Sequence, residues 1–156
     1  MPTPNPATLA GFQAWANTNG ISFTILPQDS PFWGWAFNVA VDIVSPRFLQ
    51  VSCDIYVLMV YNLAGSNLLN FAQDPPDAPQ YKNGKPYFEY MREKYNILGP
   101  VSGVVQSAGD QGTSAGLEVP QALKDLTLAD LQYLKDPFGR VYLQFAQRQG
   151  SLWGLS

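Results

Sequence analysis

Between Ser45 and about Ala72 the chain carries only two charged residues, Arg47 and Asp54, in an otherwise apolar and amide-rich run. No other stretch limits the fold so strongly. Phe48, Val51, Ile55, Leu58, Met59, Asn62 and Leu69 recur on one face of a 3.6-residue helix, and Ser45 before Pro46 is a cap-then-proline start. One helix over this range would be roughly 40 Å long and would need neighbours to cover it. The small patch Ala64-Gly65-Ser66 predicts close approach by another helix, or a local bend. The longest apolar run, Ile55 to Tyr61, lies between Asp54 and Asn62 and is far shorter than the ~20 residues that cross a bilayer.

Shorter helices fit around it. Pro2, Pro4 and Pro6 predict an extended arm, followed by a helix over Ala7–Ala16 with Leu9, Phe12 and Ala16 on one side and a break at Asn19-Gly20. Ile21 to Leu26 alternates well enough for a short strand ending at Pro27. Asp29 or Ser30 can cap a helix with Pro31 in its first turn, along which Phe32, Trp35, Val39 and Ile43 form a stripe. Residues 74–86 hold four prolines and Asn83-Gly84 and read as a loop. Further helices are expected over Tyr87–Asn96, Leu128–Leu134 and Pro137–Gln147, with Thr127 and Asp130 in a capping-box-like start. The expected fold is mainly α: a small helical bundle in one domain over 1–156, with a helical core at about 7–98.

Residues 99–120, GPVSGVVQSAGDQGTSAGLEVP, interrupt this pattern. A phosphate loop is excluded by spacing: no lysine lies between Gly99 and Glu118, and the glycines at 99, 103, 109, 112 and 116 contain no i, i+2, i+5 set. Alternation of apolar and small residues instead predicts a protruding β-hairpin over about 101–119. A three-residue turn Asp110-Gln111-Gly112 would place residue 105 opposite 117 and 103 opposite 119. Gly109, Asp110, Gln111 and Gly112 are then its tip. A two-stranded hairpin is marginal alone in water, so a supporting surface, its own core or a neighbouring subunit, is expected.

Chemistry is harder to assemble. The 156 residues include no histidine, which removes most metal sites and the commonest general base. Cys53, the one cysteine, reads as a buried, reduced core thiol. Asp42 and Asp54 lie on apolar helices and could be buried acids, though a helix-boundary or interface role fits them better. Glu89 and Glu93 beside Arg92 and Lys94 read as a solvated helix face. Asp74 and Asp77 lack calcium-loop spacing. No catalytic, cofactor-binding or metal site is expected.

Charged residues are 13% of the chain, about half the usual share, and such a surface favours permanent assembly over a free monomer with a neutral, amide-rich surface. Net charge is −3 with no basic patch, which disfavours nucleic-acid binding. The first ten residues have neither a basic nor an apolar leader segment, so an intracellular, soluble product is expected. Four Trp, eight Tyr and nine Phe are a high aromatic load, and Phe32-Trp33-Gly34-Trp35 places three within four positions. Adjacent positions point to different sides of a helix, so either some face outward, where aromatics anchor partners, or they fill a small core. Phe138, Val141, Tyr142 and Phe145 mark one face of the last helix, with Arg140, Gln144 and Arg148 opposite. The ending Ser-Leu-Trp-Gly-Leu-Ser places Leu152, Trp153 and Leu155 beyond Gly150, and such an ending is expected to dock into another chain.

Gly99-Pro100-Val101-Ser102, Ser107–Ser114 and Pro137-Phe138-Gly139-Arg140-Val141-Tyr142-Leu143 follow the helix pair in an order that resembles the head–tail connector, or adaptor, proteins of tailed bacteriophages. Element order matches over about Ser45–Arg148; residues 1–44 have no counterpart. The resemblance implies a structural virion protein of the neck with no catalysis. It would be assembled in the host cytoplasm as a homo-oligomeric ring, commonly of twelve copies, between portal and tail proteins, with DNA passing through without sequence-specific binding and no membrane partner. The one connector domain would comprise the helical core, the hairpin at 99–120, and a C-terminal helix and extended tail at 121–156. Phe138, Gly139, Arg140, Tyr142 and Leu143 become candidate portal or intersubunit contacts, to which the apolar ending adds Leu152 and Trp153. The alternatives are another phage neck, tail-completion or minor capsid protein, or a small-ligand-binding helical domain around Trp33 and Trp35.

Overall fold

A computed structural model describes residues 5–99, 107–110, 113–116 and 128–148. Among them the fold is mainly helical: α1 (Leu9–Thr18), α2 (Pro31–Ile43), α3 (Phe48–Val51), α4 (Cys53–Phe71), α5 (Tyr87–Lys94), α6 (Leu128–Tyr133) and α7 (Pro137–Arg148), with strands β1 (Ser107–Asp110) and β2 (Thr113–Gly116) between α5 and α6. No helix among the described residues is long and apolar enough to cross a membrane.

α4 is the axis. From Met59 to Leu69 every residue is buried, because α1, α2, α3, α5 and α7 all pack against it. The small-residue patch is where neighbours come closest. A Cβ on Gly65 would lie 3.1 Å from the Trp15 ring and 3.2 Å from that of Phe138, so glycine lets α1 and α7 close over the same turn. Ser66 beside it donates its hydroxyl to Asp136 at 2.7 Å.

The expected single helix from Ser45 to Ala72 is instead two. Ser52 is extended (φ −166°, ψ 130°), and its Oγ accepts from the Ile55 N–H at 3.4 Å. A serine that caps a new helix competes with continuing the old one. This break corrects the reading of Cys53: it opens α4 on the outside and is exposed. Asp54, in the first turn, is exposed as well, as is Asp42 on α2.

α2 has the expected start, with Pro31 at its first position, but the stripe Phe32, Trp35, Val39, Ile43 is not its buried face. Trp33, Ala36, Phe37 and Ala40 are. Ala36 and Ala40, one turn apart, let α4 approach closely, and Asn67 of α4 donates its amide to the Ala36 carbonyl at 3.3 Å. The Trp33 indole donates to the Pro27 carbonyl at 2.9 Å, so its one polar atom is satisfied inside the core.

The expected strand at 21–26 is a turn. The Ile25 and Leu26 N–H groups both donate to the Ser22 carbonyl at 3.0 Å, and Ile21 and Leu26 are buried at its two ends. Loop 74–86 stays irregular, with Asn83 and Gly84 at positive φ (54° and 71°) between the bridged Lys82 and Lys85. Its Asp74 has a role that its sequence context hid. The carboxylate accepts from the Phe88 and Glu89 N–H groups at 3.0 and 3.1 Å, capping α5, whose own N-cap residue, Pro86, has no side-chain acceptor.

The described part of the hairpin expected over 101–119 has a different register. β1 and β2 are four residues each and pair Ser107↔Gly116, Ala108↔Ala115, Gly109↔Ser114 and Asp110↔Thr113. Gln111 and Gly112 alone separate the paired ends, in place of the expected three-residue turn. This is a one-residue shift, so odd positions of one strand oppose even positions of the other. The expected register fails by one position for these paired residues, and a slip of one exchanges the faces of a strand. The rest of 101–119, the cap at Thr127 and the ending at 149–156 lie outside the described residues.

Candidate assembly surface

The residues expected to form contacts on α7 are used mainly to build the corner between α6 and α7. Asp136, fully buried, accepts from the Gly139 N–H at 2.8 Å and from the Ser66 hydroxyl at 2.7 Å. It therefore caps α7 and ties that cap to α4. Burial pushes its carboxyl above the usual carboxylate range, opposed by its bonds to Gly139, Ser66 and Phe138 and by the nearby Arg140. A Cβ on Gly139 would fall 2.2 Å from the Tyr133 carbonyl oxygen and 2.8 Å from the Tyr133 Cα. Only glycine fits where α7 crosses the end of α6.

Around that corner, Phe138 is half-buried and meets Trp15 edge to face, centroids 5.3 Å apart. Tyr142 and Leu143 are core residues, Tyr142 packing edge-on to Tyr133 at 5.6 Å. Burial pushes the Tyr142 hydroxyl up to about 12. Arg140 alone of the five is exposed. Its Nε donates to the Leu134 carbonyl at 2.6 Å, closing the carbonyl end of α6. Gly139, Tyr142 and Leu143 are thus interior positions, a correction to their expected place on a contact surface. Gly109 and Asp110 lie in β1; Gln111, Gly112, Leu152 and Trp153 are outside the described residues.

Asp136 was legible. Asp136-Pro137 repeats the cap-then-proline signature of Ser30-Pro31 and Ser45-Pro46.

Outward-facing apolar surface lies elsewhere. Trp35 and Phe71 are 45% and 59% exposed, and their rings meet edge to face with centroids 5.4 Å apart. With Pro31 and Phe32 they form an open groove of about 450 Å³ lined by no charged side chain. The cause is local. The Ala-rich side of α2 is taken by α4, and the side bearing Trp35, with the exposed Asn38 and Asp42 and the half-buried Phe32 at its edge, is left at the surface. Phe71, the last residue of α4, reaches the same place. A second opening of about 630 Å³ has the opposite character, being lined by Asp74, Lys85, Glu89, Arg92 and Glu93 among others. Its charges are committed internally: Lys85 pairs with Glu89 and Glu93, and Arg92 donates to the Leu69 carbonyl at 2.9 Å and to that of Ala72.

Among the described residues no group of three His, Cys, Asp or Glu side chains is placed to hold a metal ion. In comparisons with known proteins, no family model, curated protein or solved structure matches the chain.

Proposed function

We propose that the chain is a structural subunit that assembles through apolar surface, and that its assembly is the head–tail connector ring of a tailed bacteriophage, seated between portal and tail. The observation that carries the assembly reading is the uncharged aromatic groove of Phe32, Trp35 and Phe71, open to solvent on a chain with only 13% charged residues. Large aromatic side chains left outside a core are typical anchors of protein interfaces. The phage connector reading rests on the resemblance of Gly99–Ser102, Ser107–Ser114 and Pro137–Leu143. Within that last motif Pro137 and Arg140 are exposed, and Arg140 is the candidate for contact with the portal.

Mixing the purified chain with the portal protein of the same genome tests this directly. Rings of the chain capping the portal, seen by electron microscopy or native mass spectrometry, are expected. A monodisperse monomer that ignores the portal overturns the connector reading. Saturable quenching of tryptophan emission by a small apolar ligand in that monomer would instead favour a ligand-binding domain using the same groove.

A further inference from the structure

We infer that the Pro31–Phe32–Trp35–Phe71 groove receives the C-terminal segment 149–156 of a second copy of the chain, with Trp153 as the anchor. This rests on the reading of the chain as an assembly subunit and names the surfaces that would join one copy to the next.

The chemistry of the two halves matches. Walls of proline and three aromatic rings, with no charged side chain, suit an uncharged aromatic or aliphatic segment. Gln149-Gly150-Ser151-Leu152-Trp153-Gly154-Leu155-Ser156 has no charged side chain and holds three large apolar groups. At about 450 Å³ the groove falls within the about 300–1,000 Å³ typical of pockets that seat a compact apolar group. A second indole against the edge-to-face pair of Trp35 and Phe71 adds the ring geometry that aromatic clusters prefer.

Reach decides between the chain's own ending and a neighbour's. Asn70, Ser66 and Gly65 of α4 meet Gln132, Asp136 and Phe138 in turn, so α7 runs antiparallel to α4. An α7 that continues along α4 in that direction brings Arg148, ten residues beyond Phe138, level with about Ile55. From there to Phe71 is about 24 Å along the α4 axis at about 1.5 Å per residue, before any sideways distance towards α2. Trp153 is five residues past Arg148, an extended reach of at most about 18 Å. A chain's own Trp153 would have to be fully extended, indole included, to span that distance along α4, whereas that of a second copy is free of this limit. Donor and acceptor then sit near opposite ends of α4. Such head-to-tail contact joins copies in series and closes into a ring when the rotation permits.

The test separates recognition from assembly. A Trp153→Ser chain, whose own ending is disarmed, is titrated with a synthetic peptide of residues 149–156 while the Trp35 indole N–H resonance is followed. A saturable shift is expected, with affinity reduced at least tenfold by Phe71→Asp, and by Phe71→Ser if aspartate at the helix end disturbs folding. No saturable shift at about 1 mM peptide, or binding indifferent to both Phe71 changes, overturns the inference. Equimolar Trp153→Ser and Phe71→Asp chains each retain one half of the contact, so native mass spectrometry should show heterodimers and nothing larger. Absence of heterodimers from a mixture whose wild-type counterpart assembles overturns the second-copy arrangement. Peptide binding without wild-type rings removes the connector reading and leaves the groove's role standing; rings that survive both Phe71 changes do the reverse.

Discussion

The outer face of α2 and the corner between α6 and α7 are built from similar residues and used in opposite ways. Both are rich in aromatics, and both follow a cap-then-proline start. At the corner every group has an internal partner: Asp136 with Ser66 and Gly139, Arg140 with the end of α6, Phe138 with Trp15, and Tyr142 with Tyr133. On α2, Trp33 is buried with its indole bonded to Pro27, while Trp35, two residues on, stands in solvent against Phe71. A motif that looks like a contact surface is mostly scaffold, and of the stripe Phe32, Trp35, Val39 and Ile43 only Trp35 is exposed, with the other three half-buried. Aromatic content alone does not tell the two apart; the availability of partners for each polar atom and each close approach does.

The sharpest break in that comparison is Gly139→Ala. Its methyl group would meet Tyr133 backbone atoms that cannot move aside, so loss of about 3 kcal/mol or more, or failure to fold, is expected in urea unfolding. Adjacent tryptophans give the next contrast. Trp33→Ala should cost about 3–5 kcal/mol as a cavity in the core, whereas Trp35→Ala should change monomer stability by about 1 kcal/mol or less and act on association instead. Equal losses at both positions would erase the distinction between the faces. Asp136→Ala leaves a buried hydroxyl and an N–H unpaired and should cost about 2–4 kcal/mol.

Tyr142 predicts a smaller, pH-dependent effect. Its folded hydroxyl is held near 12 against an unfolded value of 10.0, so the folded state keeps the proton longer. That contribution is complete below pH 10 and is lost as pH rises from about 10 to about 12, with a slope of at most about 1.36 kcal/mol per unit. Tyr142→Phe should flatten that part of the alkaline unfolding curve; an unchanged slope would mean that Tyr142 is not the buried partner described. Arg140→Ala, which exposes only the end of α6 to water, should cost about 1 kcal/mol or less by thermal melting.

Much of the fold was legible from pattern. Helical period and cap-then-proline signals place α2, α5 and α7 to within a few residues, and Ala64-Gly65-Ser66 marks a true close approach. Breaks were less legible where they turn on a choice. Ser52 reads as a tolerable helix residue until it caps α4, and Ile21–Leu26 reads as a strand, yet among the described residues it folds into a turn closed on the Ser22 carbonyl. Candidate site residues were the least legible. Tyr142 and Leu143 were picked for their type, and type does not report which helix lies across from them.

By itself the sequence determined that this chain folds as a set of short helices around one apolar axis, because period, capping and the lack of charge between Ser45 and Ala72 leave little else. It also determined that one core cannot hold every aromatic of Phe32–Trp35, because neighbouring positions diverge around a helix. Only the tertiary structure decided which aromatics went inside. α2 carries only Asn38 and Asp42 as polar groups, both exposed on the side of Trp35, and its Ala36–Ala40 side was buried because α4 offered a tight surface and the Asn67 amide opposite. Once that side was taken, Trp35 and Phe71 were left at the surface, and the place for a partner was set.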